Sequence, residues 1–260
     1  MDALLFPRKE ARYVAAMAAS RLKPGAGASV GPLQLTDIEP PDLPGEGWEH
    51  VNTRLAGICG SDLATIDGQA SRYFEALASF PFVPGHEVVG ERADGTRVVL
   101  EPVLGPQTRG QVPAWPGAAQ ADGNDYGHLV AGDLEPGLQT GSCSSTGGGW
   151  SETFAAHHTQ LHEIAPEISD EAGVMIEPTA AGVHAVLRGD VPEGGTVAVI
   201  GAGTMGLTAV AAIRQFTRAD AVIVAARYPH QHKMARSLGA DLTVVPEELG
   251  RAIRRAAGTR

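Results

Sequence analysis

The sequence predicts a mixed α/β plus β protein, with a β-rich first part and a parallel α/β second part. Three observations predict it. Before residue 190, short β-type runs are punctuated by Gly and Pro. The 33 Gly and 18 Pro are well above the usual combined share of ~12%. After residue 190, apolar runs alternate with helical segments, as in a parallel sheet with right-handed crossovers. A single glycine-rich hexad opens the first helix of that second part. The change of character divides the chain into domains 1–189 and 190–260.

The elements follow in order. Val88–Glu91, Arg97–Leu100 and Thr153–Ala156 read as strands in an irregular region with few helices. Residues 103–149 form a long Gly/Pro-rich stretch, the kind of loop that usually carries a function. A helix is expected from Asp170 to about Leu187, with Ser169 as N-cap and Glu171-Ala172 in its first turn. Pro178 would interrupt or kink it. Thr196–Ile200 is a continuous apolar run, as in a strand buried on both faces. Helix 205–217, strand 221–226, helix 230–238 ended by Gly239, strand 242–245 and helix 247–257 complete the reading.

Composition removes several classes of function. Acidic residues outnumber basic ones, 30 to 20, for a net charge of −10. Phosphate-backbone binding needs a basic surface, and no Lys/Arg-rich run is present, so no nucleic-acid partner is expected. Two cysteines, Cys59 and Cys143, cannot make a disulfide framework. The N-terminus lacks a basic segment followed by an apolar one. The longest weakly polar run, 197–213, is broken by glycines and is too short to span a membrane. A soluble, reduced, cytoplasmic protein is expected, with no membrane partner.

Gly201-Ala202-Gly203-Thr204-Met205-Gly206 fits G-x-G-x-x-G between a buried strand and a helix, the context its mechanism requires. Gly201 permits the tight turn, Gly203 lets the backbone approach a pyrophosphate, and Gly206 lets helix and strand pack closely. The helix start at Thr204 and Met205 then offers free N–H groups to phosphates. The alternative is a glycine turn with no ligand. The second strand ends in Ala226-Arg227-Tyr228, where an NAD site usually has Asp or Glu for the ribose hydroxyl. A missing carboxylate beside the Arg227 guanidinium favours NADP over NAD, against the alternative that Arg227 is a solvated surface residue.

Gly57-Ile58-Cys59-Gly60-Ser61-Asp62 and Gly85-His86-Glu87-Val88-Val89-Gly90 lie in the β-rich part, and Ile176-Glu177-Pro178 follows. A thiolate, an imidazole and two carboxylates suit zinc with one position left open. Together with Gly147-Gly148-Gly149-Trp150 and the glycine turn, these segments occur in the order found in medium-chain, zinc-dependent alcohol dehydrogenases. The chain resembles the branch that includes polyol, threonine and glucose dehydrogenases.

The resemblance implies a GroES-like, β-rich catalytic domain over 1–189. A partial Rossmann domain would follow over 190–260, a doubly wound parallel sheet of which only the first half is accounted for, so the chain is expected to be C-terminally incomplete. It implies one catalytic zinc on Cys59 and His86, with Glu87 or Glu177 completing the shell directly or through water. Ser61 would relay the substrate proton, and Asp62 would orient His86 or a ligand. The expected reaction moves a hydride between an alcohol or polyol, or the matching carbonyl, and a nicotinamide cofactor. The bland alternative for Ser61-Asp62 is a turn or helix cap.

Many members hold a second, structural zinc on four cysteines in a lobe after the Gly-His-Glu segment. Gly105–Asp125 contains no cysteine, so no structural zinc is expected. Trp115, Pro113 and Pro116 could pack there instead, or the lobe could be loose. His157, His158, His162, His230 and His232 read as solvated or capped residues, and His184 as a residue near the cleft. Rival readings are a truncated, non-catalytic member that keeps the fold and some zinc or nucleotide binding, and a zinc-free reductase of the same superfamily. The Cys59, His86 and Glu177 set argues against the latter. A homo-oligomer is compatible with all of these.

Overall fold

The computed structural model describes residues 1–120, 122–123 and 125–258. Ala121 and Asn124 of the expected cysteine-free lobe, and Arg260, lie outside the described residues. The chain divides into two compact units, Met1–Met175 and Ile176–Arg260. The composition change near residue 190 falls inside the second unit.

The first unit holds β1 (Asp2–Leu5), α1 (Glu10–Leu22), α2 (Gly27–Val30), β2 (Gln34–Asp37), β3 (Trp48–Ala56), α3 (Gly60–Ile66), β4 (Val88–Glu91), β5 (Arg97–Leu100), β6 (Thr153–His157), β7 (Leu161–Glu163) and α4 (Asp170–Gly173). Five strands form an antiparallel sheet in the order β6-β3-β4-β5-β7, and β1 pairs with β2. Val51, Val88, Val98, Leu100, Phe154 and Ala156 make one core. Full burial of each valine or leucine side chain contributes roughly 1.5–3 kcal/mol. Trp48, Leu104, Leu134, Cys143 and Ala155 make a second cluster. An irregularity between Thr53 and Leu55 sets Arg54 beside Glu91 at 2.7 Å and Asp170 at 2.9 Å.

The first part is more helical than expected. Glu10–Leu22 is Ala-rich, with high intrinsic helix propensity. Its Ala16 and Ser20 are buried, and Ser20 Oγ donates to Asp67 O at 2.8 Å. Asp67 carboxylate oxygens accept from Gly25 N at 2.9 Å and Gly27 N at 3.0 Å. That short contact set ties α1 and α2 to the end of α3.

The expected helix 170–187 is two helices. Ser169 caps α4, its Oγ accepting from Ala172 N at 3.2 Å. The chain then breaks at Val174-Met175 and resumes as α5 (Ile176–Arg188). Pro178 therefore lies in the first turn of α5, where a missing N–H breaks no helical bond.

The second unit continues with β8 (Thr196–Ile200), α6 (Thr204–Phe216), β9 (Ala221–Ala225), α7 (Pro229–Ser237), β10 (Leu242–Val244) and α8 (Leu249–Ala256). Its parallel sheet runs β10-β9-β8. Val186 of α5, Leu207, Val210 and Ile213 of α6, and Val222 and Val224 of β9 form its core. Only the central strand β9 is buried nearly throughout. β8 is an edge strand among the described residues. Its residues alternate between exposed and half-buried, and Ile200 is 82% exposed. The expectation that 196–200 is buried on both faces is not met among the described residues, where β8 pairs with β9 alone, as expected of a sheet of which only the first half is accounted for.

Candidate metal centre and dinucleotide turn

The metal-ligating segments start from adjacent strand ends. β3 stops at Ala56 and β4 starts at Val88, and those two residues are paired. Gly57 N donates to Glu87 O at 2.8 Å, extending the ladder by one step. Cys59 follows one end and His86-Glu87 precede the other, so residues distant in sequence converge. Ligand atoms of Cys59, His86 and Glu87 all lie within 4.8 Å of one another. Tetrahedral zinc with bonds of ~2.0–2.3 Å would hold such atoms about 3.5 Å apart, so small side-chain shifts bring this donor set onto one ion. The Glu87 carboxylate fills the space a Cβ at Gly57 would need. Any side chain at Gly57 would displace it.

The Gly147-Gly148-Gly149-Trp150 segment braces this corner. Gly149 N donates to Gly85 O at 2.8 Å and Trp150 N to Pro84 O at 3.0 Å. The indole Nε1 donates to Gly57 O at 3.0 Å.

Electrostatics at the site favour the ligand forms. The Cys59 thiol is held below its ordinary range, first by its hydrogen bond with His86, with Ser61 hydroxyl and backbone groups adding to it; partial burial opposes. Cys59 also immediately precedes α3, where helix N–H groups favour a thiolate. Asp62 is buried, 7% exposed. Its Oδ2 accepts from Cys59 N at 3.0 Å, and its Oδ1 lies 3.6 Å from His86 Nδ1. Burial raises the Asp62 carboxyl above its usual range, while His86 and the Cys59 and Gly85 backbone N–H groups pull it down. A carboxylate beside Nδ1 favours a proton there and leaves Nε2 as the lone-pair nitrogen. Asp62 thus caps α3 and faces His86 at once.

Ser61, Asp62 and His86 are among the residues that line a cavity of about 720 Å3 within the first unit. Glu177 lies in the first turn of α5, in the second unit.

In the second unit, Gly201 has φ +98°, the left-handed region that favours glycine. A Cβ on Gly206 would strike Gly201 O, whereas one on Gly203 would meet open space. Gly201, Gly203, Thr204 and Met205 are exposed, and no side chain caps α6 at Gly203. The turn therefore presents uncapped N–H groups to whatever approaches it. Arg227 is exposed directly after β9, and its backbone N donates to Gln231 Oε1 at 3.1 Å.

The sequence model of the alcohol dehydrogenase GroES-like domain matches residues 45–166. A sorbitol dehydrogenase of Arabidopsis thaliana is 30% identical over 228 residues, 78% of this chain and 54% of that protein. The chain carries the alcohol dehydrogenase GroES-like domain over 45–166 and is similar to medium-chain, zinc-type alcohol dehydrogenases.

An alcohol dehydrogenase (rspB) from Escherichia coli CFT073, complexed with NADH, shares the fold at TM-score 0.68 and 24% identity, over 99% of this chain and 66% of that one. A dehydrogenase from Sinorhizobium meliloti 1021 bound to NADP is 25% identical at TM-score 0.66, over 88% and 62%. The chain spans 52–62% of the length of the curated relatives it matches. The antiparallel sheet of the first unit is the GroES-like part of this family, and the parallel sheet of the second is its Rossmann-type part.

The lobe that holds structural zinc in many members of the family is organised differently from the expectation. Trp115 is 50% exposed and Pro116 is exposed, so they do not form its centre. Arg109 does. It is 1% exposed, and its guanidinium donates to the carbonyls of Leu104, Ala131, Leu134, Glu135 and Gly137 at 2.7–3.4 Å. No local pattern in the sequence distinguishes this arginine, because its acceptors other than Leu104 come from a segment more than twenty residues away.

The remaining histidines divide. His162 Nε2 lies 3.0 Å from Glu101, and His184 is exposed. His157, expected to be solvated or capped, caps the following turn, its Nδ1 accepting from Thr159 N at 3.4 Å, and is buried (8% exposed), edge-on to Trp48 and 2.7 Å from Thr159 Oγ1.

Proposed function

We propose that this chain carries the machinery of a zinc-dependent oxidoreductase that moves a hydride between an alcohol and a nicotinamide cofactor. The observation that carries the proposal is the convergence of Cys59, His86 and Glu87, of which His86 lines the same cavity as Ser61. Those three side chains would hold the zinc, with Glu177 as the further acidic candidate. Zinc, when bound, supplies the positive charge that stabilises an alkoxide or polarises a carbonyl. Asp62 fixes the imidazole orientation. Ser61 Oγ, exposed on the cavity wall, accepts the proton of the substrate hydroxyl and passes it outward. Gly201, Gly203, Thr204, Met205 and Gly206 would cradle the cofactor pyrophosphate. The catalytic role is assigned to 1–189 and nucleotide binding to 190–260. No helix among the described residues is long and apolar enough to cross a membrane, and a cytoplasmic site of action fits the reading.

The expected test result is zinc-dependent alcohol oxidation, reduced ~10²–10⁴-fold by Ser61→Ala with zinc content unchanged. Unchanged turnover in that variant would remove Ser61 from the relay.

NADP is the proposed cofactor. The end of β9 offers Arg227 and no carboxylate, so a 2′-phosphate meets a donor and no repulsion. NADPH should bind more tightly than NADH, and Arg227→Ala should weaken NADPH about tenfold while sparing NADH. Tighter NADH binding by the unmodified chain would contradict this.

A further inference from the structure

The cavity that Ser61 lines has further lining residues that the hydride-transfer reading does not use. The chain is only 5% aromatic, yet Phe6, Tyr13, Phe80 and Phe82 all line this one cavity. Phe6 and Phe82 exchange backbone hydrogen bonds, with Phe6 N donating to Phe82 O at 2.8 Å and Phe82 N to Phe6 O at 3.3 Å. Their rings stack at 5.2 Å. Phe80 lies 5.2 Å from Phe82 and 6.4 Å from Phe6. Tyr13, brought in by α1, stands edge-on to Phe6 at 6.5 Å. Leu77 and Leu138 extend the apolar wall.

The charged groups at the rim are already engaged. Arg8 lies 3.5 Å from Glu10 and 3.4 Å from Glu75, and Lys9 Nζ donates to Gln34 Oε1 at 3.3 Å. Neither cation is set aside for a phosphate or carboxylate. A volume near 720 Å3 lies in the ~300–1,000 Å3 range of pockets that enclose a whole small molecule, far more than a two- or three-carbon alcohol fills. Thr65, Gln69, Ser71, Gln139 and Ser142 also line the cavity, but hydroxyls laid on the phenyl rings themselves would find no partner there. An aryl ring would instead gain stacked and edge-on contacts.

Resting on the proposed hydride-transfer site, we propose that its substrate is an uncharged alcohol, or the matching carbonyl, with an aryl body, held against Phe80 and Tyr13, which the buried rings of Phe6 and Phe82 back. Tyr13 and Phe80 are the specificity-determining residues. α1 contributes Tyr13, so the N-terminal helix sets substrate choice.

The test is calorimetric binding to the zinc-loaded full chain, with 3-phenylpropan-1-ol and D-sorbitol as probes. 3-Phenylpropan-1-ol should bind at least tenfold more tightly. Phe80→Ala and Tyr13→Ala should each weaken it five- to tenfold, with zinc content and circular dichroism unchanged, and Tyr13→Phe should retain it. Equal or tighter sorbitol binding, no binding of either probe, or full affinity in both alanine variants would overturn the assignment. Zinc content is read separately. Loss of the zinc claim with aryl binding intact would remove the hydride-transfer reading and leave the cavity assignment standing.

Discussion

A guanidinium buried among five carbonyls places a large demand on one residue. Arg109 closes the lobe by joining Leu104 to the 131–137 segment, and burial lowers the pKa of its guanidinium. Removing it orphans several buried acceptors at once, each of which costs about 1–3 kcal/mol if water cannot reach it. Arg109→Leu should therefore destabilise the chain by about 3–5 kcal/mol in urea unfolding. A change below about 1 kcal/mol would show that the carbonyls find other partners. The lobe ends near Leu138 and Gln139, which line the cavity, so the same residue supports part of the cavity wall. Ser61 and Asp62 show the same economy. Asp62 satisfies the first turn of α3 and faces His86, and Ser61 interacts with the Cys59 sulfur while facing the cavity.

Strand ends do the positioning at the scale of elements. Because Ala56 pairs with Val88, the register of β3 on β4 decides whether Cys59 and His86 meet. A one-residue slip would turn each side chain to the opposite face. At the far end of the same sheet, β6 closes on His157, whose imidazole is pushed below its ordinary pKa, first by burial and then by His158. A histidine with a depressed folded-state value contributes its full stability above the unfolded value near 6.5 and loses it as pH falls below that. Thermal midpoints should therefore drop between pH 7.5 and pH 5.5, and His157→Gln should show a smaller drop. An identical drop in both proteins would contradict the account.

The elements also mark what sequence can carry. β4 and β5 coincide with the expected 88–91 and 97–100, and β8, α6 and β9 fall within a residue of expectation, because apolar runs bounded by glycine fix both type and limits. The Ala-rich α1 was legible in propensity but hidden by its lack of an apolar stripe: only Ala16 and Ser20 are buried. The exposure of β8 depends on which strand takes the centre of the sheet, a long-range fact with no local signature. The convergence of Cys59, His86 and Glu87 was legible from motif order, whereas the Arg109 knot and the aromatic wall were not, since each is assembled from segments remote in sequence.

For the molecule as a whole, two separately cored units hold the two proposed sites, the metal centre in the first and the dinucleotide turn in the second. The first has its own hydrophobic clusters, a metal-ligating corner and a cavity. The second has its own core and a glycine turn with open N–H groups. The central claim is the metal centre, and thiolate ligation is its most direct signature. Cobalt(II) added in place of zinc should bind at one equivalent per chain and give a thiolate-to-cobalt charge-transfer band that is lost in Cys59→Ser. No band in the unmodified chain, or a band that survives in Cys59→Ser and so comes from Cys143, would contradict the account.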